Sequence, residues 1–245
     1  ADLIVAATPV FFFNMSAQLK ALIDRCQTFW ARKYRLRWRD PRLKSKQGYL
    51  LSVAATRGKT LFDAIHLTMK YFCDAIDAEY VGHLVYREIE GPKDMSRHAT
   101  VVEDVQRAVA ELLGPLAKRK RLLIVGPAGD GVEQMTAALV RVQASDRFDV
   151  RVGGLQPAAQ VDARAIKAMA ARGWDIEYEL PMALEEALDD WLPDKVITMG
   201  PAPDRPLAVD AEVIHWDVPL TAPEGAEAAG ELCDILDDKV ATLVG

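Results

Sequence analysis

Two short stretches combine residue types suited to holding a flat ligand with a polar edge. The first is Thr8-Pro9-Val10-Phe11-Phe12-Phe13-Asn14. Its proline fixes a backbone dihedral, and its three consecutive aromatics offer a wall for a planar ring. The plainer reading of Phe11, Phe12 and Phe13 is packing into a core or a dimer interface. The second stretch is Ala55-Thr56-Arg57-Gly58, a short loop with one cation. A third, Gly126-Pro127-Ala128-Gly129-Asp130-Gly131, is rich in glycine but lacks the Lys-Ser/Thr of a nucleotide phosphate loop, so it reads as a tight turn. Cys26, Cys73 and Cys233 form no CxxC pair, which argues against a disulfide framework or a zinc site within the chain. They read as three buried thiols of a cytoplasmic protein. His66, His83 and His98 fall at no ligand spacing and read as structural or exposed.

The frame that positions these stretches follows from hydrophobic patterning. Leu3 to Ala7 is a continuous apolar run, as expected of a strand buried on both faces. A helix follows, capped by Asn14 or Ser16, with Leu19, Leu22, Ile23, Cys26 and Trp30 at helical spacing toward a core. Residues 32–46 carry eight Lys or Arg and a single acid, Asp40, and read as an exposed loop. A pyridine-nucleotide phosphate site is the functional alternative for that run, a solvated loop the plain one. Strands are predicted over 49–55 and 80–89, a helix over 60–77, and a long helix from about Pro92 to Gly114-Pro115. The second half repeats the alternation. Strands fall near 122–125, 148–152, 195–199 and 212–216, with helices near 133–143, 163–172, 183–191 and 224–243. Strands alternating with helices imply parallel sheets covered on both faces. In such sheets ligands bind outside the carboxyl ends of strands, where the first two stretches lie.

Length and charge narrow the classes. The 245 residues suffice for two modest domains. Their net charge of −6 hides a balance of +8 over residues 1–121 and −14 over residues 122–245. Halves of opposite sign suggest two units of separate origin. No nucleic-acid motif accompanies the basic half. The longest apolar run, Leu3 to Phe13, is broken by Thr8 and Pro9, and none reaches the roughly 18–20 residues of a membrane span.

The stretch Ala7 to Arg25 (ATPVFFFNMSAQLKALIDR) resembles the "SPVYFxxxSxxLKxxIDR" signature of the NAD(P)H-dependent FMN reductase and iron–sulfur flavoprotein family. The resemblance extends to about residue 116. It implies a flavodoxin-like fold in which the loop Pro9 to Asn14 lies along the flavin. The loop at Thr56 to Gly58 would close the other side, with Arg57 facing negative charge on the reduced ring. The cofactor-binding residues so implied are Thr8, Pro9, Val10, Phe11, Phe12, Phe13, Asn14, Ala55, Thr56, Arg57 and Gly58. The family begins with a strand and a Ser/Gly-rich loop that cradles the FMN phosphate. Against that pattern, Leu3 to Ala7 corresponds to the third strand. Three explanations stand: an upstream segment, another chain that supplies it, or a lost flavin site. The first is favoured. Iron–sulfur members keep their cluster cysteines in that upstream part, so a cluster stays open.

From Arg121 onward the chain resembles low-molecular-weight protein tyrosine phosphatases, and more closely thioredoxin-coupled arsenate reductases. The carriers are Gln134 to Leu139, Phe148 to Pro157, Val196 to Met199 and the run His215-Trp216-Asp217-Val218-Pro219. That chemistry needs a cysteine thiolate, an arginine six positions later and an aspartic acid. The matching positions here are Gly126, Val132 and the pair Gly200-Pro201, while Asp204 is displaced. The resemblance therefore implies a catalytically dead domain kept for binding or assembly, with Asp130 repelling oxyanions. His215-Trp216 is read as core packing.

The expected architecture is α/β, with two three-layer parallel-sheet domains. Residues 1–117 are flavodoxin-like but incomplete, and residues 122–245 are low-molecular-weight phosphatase-like. The expected function is an FMN-dependent NAD(P)H oxidoreductase with no single catalytic side chain. It would pass electrons to a quinone, metal, flavin or partner protein. The rival is a non-enzymatic binding or assembly protein. Expected associations are a pyridine nucleotide, an electron acceptor, a homo-oligomeric partner and a protein docked on the acidic second domain. Neither nucleic acid nor membrane is expected, and the location is cytoplasmic.

Overall fold

The computed structural model describes residues 1–200 and 210–245. They form two compact units, one of Ala1–Arg37 and Ser45–Ala117, the other of Trp38–Lys44 and Lys118–Gly245. The expected division at residues 117 and 122 therefore differs at Trp38–Lys44, which groups with the later residues. The physical reason is local pairing. Arg39 N donates to Gly173 O at 2.8 Å, Asp175 N donates to Arg39 O at 2.9 Å, and Lys44 Nζ donates to Gln143 O at 2.8 Å.

The first unit contains β1 (Leu3–Pro9), α1 (Ala17–Arg25), α2 (Gln27–Ala31), a π-helical turn (Arg32–Leu36) and β2 (Gln47–Val53). It continues with α3 (Asp63–Ala75), β3 (Glu79–Tyr86), α4 (Asp94–Arg97) and α5 (Val101–Ala117). Its three strands run parallel in the order β1-β2-β3. Ala6 and Leu50 pack with Ile65 and Met69 of α3 on one face, while Tyr49 packs with Ala108 and Leu112 of α5 on the other. A glycine is required at position 48, because an added Cβ would lie 2.2 Å from Cys73 Sγ. Burial pushes that thiol up to about 11, which leaves it inert.

Several sequence expectations change here. The helix predicted from Asn14 or Ser16 is capped by Ser16, whose Oγ accepts from Leu19 N at 3.3 Å. It stops at Arg25, so Leu22 and Trp30 do not share a buried stripe and stay exposed. Asp24 pairs with Lys20 one turn earlier, as i,i+4 spacing allows. The helix expected from Pro92 is two helices, the second running through Pro115. The basic run is not a plain solvated loop: Lys33 bonds Asp74 at 2.8 Å and lies 3.3 Å from Asp77. Cys26 is half-buried, unlike the other two cysteines.

In the second unit follow β4 (Lys120–Gly126), α6 (Val132–Ala144), β5 (Phe148–Gly154), α7 (Ala163–Ala171) and α8 (Leu184–Leu188). The unit ends with β6 (Lys195–Met199), β7 (Glu212–Trp216) and α9 (Ala226–Val244). The sheet is parallel in the order β5-β4-β6-β7. Side chains of β4 alternate between two cores. Leu122 and Ile124 join α6, α7 and α9, whereas Leu123 and Val125 join Ala187 of α8, Trp191 and Val196. A strand buried on both faces reads as an unbroken apolar run, which is why β4 was legible. Trp216 is buried, but His215 is exposed, correcting the expectation that both pack in the core.

Candidate functional site

Three features build the candidate site of the first unit at the carboxyl ends of its strands. The first is the turn after β1. Phe11 and Asn14 exchange both backbone hydrogen bonds, at 2.8 and 2.9 Å. The two residues between them, Phe12 and Phe13, have φ of 46° and 63°. Positive φ at both central positions is the geometry of a type I′ turn, ordinarily built from Asn-Gly or Gly-Gly. Bulky residues there are strained. The rings receive no packing in return: Phe12 is 102% exposed, Phe11 58% and Phe13 52%. They therefore do not fill the unit's own core.

Buried polar bonds hold the turn. Thr8 is buried; its hydroxyl accepts from Ser16 N and donates to Pro9 O, both at 2.9 Å. Ser52 Oγ donates to Thr8 O at 2.7 Å, and Val10 N donates to Val53 O at 2.9 Å. Asn14 Oδ1 accepts from Met15 N at 2.8 Å. Thr8 and Asn14 thus shape the turn rather than present their polar groups outward.

The second feature is the loop after β2. Ala54 is fastened at both ends, donating to Tyr86 O at 2.8 Å and accepting from Ile89 N at 3.1 Å. Beyond it, the amides of Ala55, Thr56, Arg57 and Gly58 donate to no protein group among the described residues. Arg57 is exposed and its Nε donates to Glu88. Arg87 Nε donates to Gly58 O at 3.2 Å, holding the loop's end.

The third feature is a pocket of about 380 Å³ lined by Thr8, Pro9, Ser52, Val53, Leu84, Tyr86, Met95, Val101 and Val105, among others. That volume lies within the roughly 300–1,000 Å³ typical of small-molecule sites. Sequence reasoning reached Thr8 and Pro9 but missed the lining from β3, α4 and α5, because only tertiary packing brings them to the end of β1; the rings of Phe11 to Phe13 do not line it. His66, His83 and His98 are not part of it. His66 Nδ1 lies 2.7 Å from Tyr80 Oη, and burial followed by the nearby His83 holds its pKa below the usual histidine value.

The second unit has its loop Gly126–Gly131 at the point where β4's two neighbours, β5 and β6, lie on opposite sides. This switch point is where open parallel sheets form crevices. Its residues were read as a tight turn, and the structure adds a buried acid, Glu133, which sequence reasoning did not single out. Asp204 lies outside the described residues. No group of three or more His, Cys, Asp or Glu able to hold a metal occurs among the described residues.

In open parallel α/β sheets, the carboxyl ends of the strands, where this aromatic turn and these loop amides lie, are the place where ligands bind. Residues 1–85 match the model of the NADPH-dependent FMN reductase family. That match covers the stretch from which the FMN reductase resemblance was read. Among solved structures, the chain is similar to arsenate reductase from Archaeoglobus fulgidus DSM 4304. The two share 24% identity with a TM-score of 0.42, over 51% of this chain and 98% of that one. It is also similar to a thioredoxin-dependent arsenate reductase of Corynebacterium glutamicum, at 22% identity and a TM-score of 0.43, over 61% and 78% of the two chains. An arsenate reductase in the phosphate-binding state shares 18% identity with a TM-score of 0.44, over 51% and 96%.

Proposed function

We propose that the first unit is the flavin-holding part of an NAD(P)H-dependent FMN oxidoreductase, with FMN against the turn Phe11–Asn14. The observation that carries this reading is a pair of adjacent phenylalanines at positive φ with their rings in solvent. Strain of this kind persists where the surroundings enforce it, and it clusters at ligand sites. The residues fit the group. Phe11, Phe12 and Phe13 supply a flat apolar wall. The unbonded amides at Ala55 to Gly58 supply donors for a polar ring edge, and Arg57 supplies a cation beside them. When bound, FMN would carry a hydride from NAD(P)H onward as electrons to a quinone, metal, flavin or protein acceptor. The chain's own part is to orient the ring, hold the turn through Thr8 and Ser52, and exclude water on the wall side.

The outer edge of β1 is unpaired among the described strands, and Val5 and Leu51 are exposed on the sheet. The open edge supports a further strand along β1, from an upstream segment, as the source of an FMN phosphate cradle, and the exposed faces of Val5 and Leu51 leave room for a covering layer. Val102, Val105, Val109 and Leu113 form an exposed stripe on α5. A stripe of this kind suits a self-association surface. The second unit is proposed to be inactive toward phosphate esters and arsenate, since Gly126 and Val132 stand where its resemblance would need a cysteine and an arginine. Its acidic surface would serve docking or assembly.

The test is an FMN titration of the purified chain, followed by flavin fluorescence and absorbance. Saturable binding that weakens in Phe12→Ala and in Phe11→Ala supports the reading. Protein that stays colourless at excess FMN supports the scaffold alternative. Turnover of an aryl phosphate or of arsenate would remove the inactive assignment.

A further inference from the structure

The loop Gly126–Gly131 of the second unit carries an arrangement that its sequence does not announce. Four of its carbonyls are tied to the chain that follows β5. Gly126 O accepts from Leu155 N at 3.0 Å, Pro127 O from Gln156 N at 2.8 Å, Ala128 O from Ala158 N at 3.2 Å and Asp130 O from Asp162 N at 2.9 Å. Close approach on that side demands a glycine at 154, where a Cβ would meet Ala128 O at 2.6 Å. Gly129 O is held from the other side by Gln134 Nε2 at 2.8 Å, and the amides of Gly129, Gly131 and Glu133 gather around one carboxyl group at the start of the thirteen-residue helix α6. Such a nest of amides at a helix N terminus attracts negative charge.

The space those amides enclose is filled. Glu133 is only 2% exposed, and its carboxyl group folds back into the loop. Its Oε1 accepts from Gly129 N at 3.3 Å, whereas Oε2 has no hydrogen-bond partner among the described residues. A Cβ placed on Gly126 would lie 1.9 Å from Oε1 and 2.5 Å from the carboxyl carbon, and its three nearest neighbours would all be atoms of Glu133. The glycine at 126 and the glutamate at 133 are therefore one fitted pair. The glutamate takes the room that any side chain at position 126 would need. Burial pushes the Glu133 carboxyl above the usual glutamate range, against the amides of Glu133 itself, Gly129 and Gly131, which favour its ionised form.

We propose that the Glu133 carboxyl group is an internal ligand that plugs the loop Gly126–Gly131, so that this loop holds its own side chain in place of an external tetrahedral oxyanion. The plug deepens the inactive reading of the second unit. It adds a steric and electrostatic block to the missing nucleophile, and it is independent of the flavin proposal. A small oxyanion such as phosphate enters only when the glutamate is withdrawn.

The experiment uses the full chain and inorganic phosphate, with the amide resonances of Gly129 and Gly131 as the readout. In the unmodified protein these two resonances are expected to stay fixed through millimolar phosphate. In Glu133→Ala they should shift saturably, with an affinity at least about tenfold higher. A second measurement needs no ligand. Gly126→Ala should lower the melting temperature sharply in the parent chain and in Glu133→Gln, which keeps the side chain's bulk, but hardly at all in Glu133→Ala. Phosphate shifting the two glycines equally with and without Glu133 would overturn the plug. So would a Gly126→Ala penalty of the same size in all three backgrounds. Both results are separable from catalysis: an active second unit would show turnover, whatever the binding experiment gives.

Discussion

At Phe12 and Phe13 the backbone holds a conformation that glycine adopts freely and phenylalanine resists, and both rings lie mostly in solvent. Phe12→Gly removes no buried area, so it should stabilise the fold by about 1 kcal/mol. The same change should weaken FMN binding by roughly tenfold, about 1.4 kcal/mol. Chemical denaturation and flavin titration on one preparation check both halves, and a loss of stability would remove the strain argument. Glu133 poses the opposite problem, an acid whose folded pKa is raised by burial. Its favourable contribution is present below the unfolded value and is lost as pH rises through the folded one. Glu133→Gln should therefore match the parent's melting temperature in acid and exceed it progressively toward neutral pH. Thermal scans across pH would show a gap that opens upward; a constant gap would exclude this cause.

Segments of chain take their places through pairings that no local pattern encodes. Residues 38–44 looked like part of a solvated basic loop, yet Arg42 is drawn to Glu179, which also receives Arg141 at 3.1 Å. Burial pushes the Glu179 carboxyl up, but Arg141 and Arg42 together hold it below its usual range. Glu179→Gln removes the carboxylate that Arg141 and Arg42 share, Arg42 keeping Asp40 at 3.3 Å, and should cost about 3 kcal/mol at neutral pH by urea unfolding. With a depressed pKa, the parent's advantage is present above the unfolded value and lost as pH falls through the folded one. The parent and variant should converge in acid. Strands fared better than helices in the sequence. β6 lies where its sequence pattern places it, because a doubly covered strand needs an unbroken run, and β7 keeps its expected bounds although only Trp216 of it is buried. The helix expected from Pro92 failed as one element because its periodicity continues across a break at residues 98–100, and α5 carries Pro115 inside its last turn.

Taken whole, the molecule joins two parallel sheets of different connectivity, 1-2-3 in the first unit and 2-1-3-4 in the second. The exposed valines of α5 belong to this scale, since a stripe of apolar residues on one helix is a liability for an isolated unit. Replacing Val105 and Val109 with Lys should reduce self-association in sedimentation velocity while leaving the helical circular dichroism unchanged. Equal sedimentation of the two proteins would sink the self-association proposal.

Sequence alone was enough for the alternation of strands and helices, for the charge contrast between halves, and for the resemblance carried by Ala7 to Arg25. Each of these is a local or one-dimensional property of the chain, set by period and composition. Only the folded chain decided that three phenylalanines face outward on a strained turn, that Met95 and Val101 line a pocket with Thr8 and Pro9, and that Glu133 fills the space above Gly126. Those facts depend on backbone dihedrals and on distances between residues remote in sequence or folded back on themselves, which close packing resolves and residue order does not.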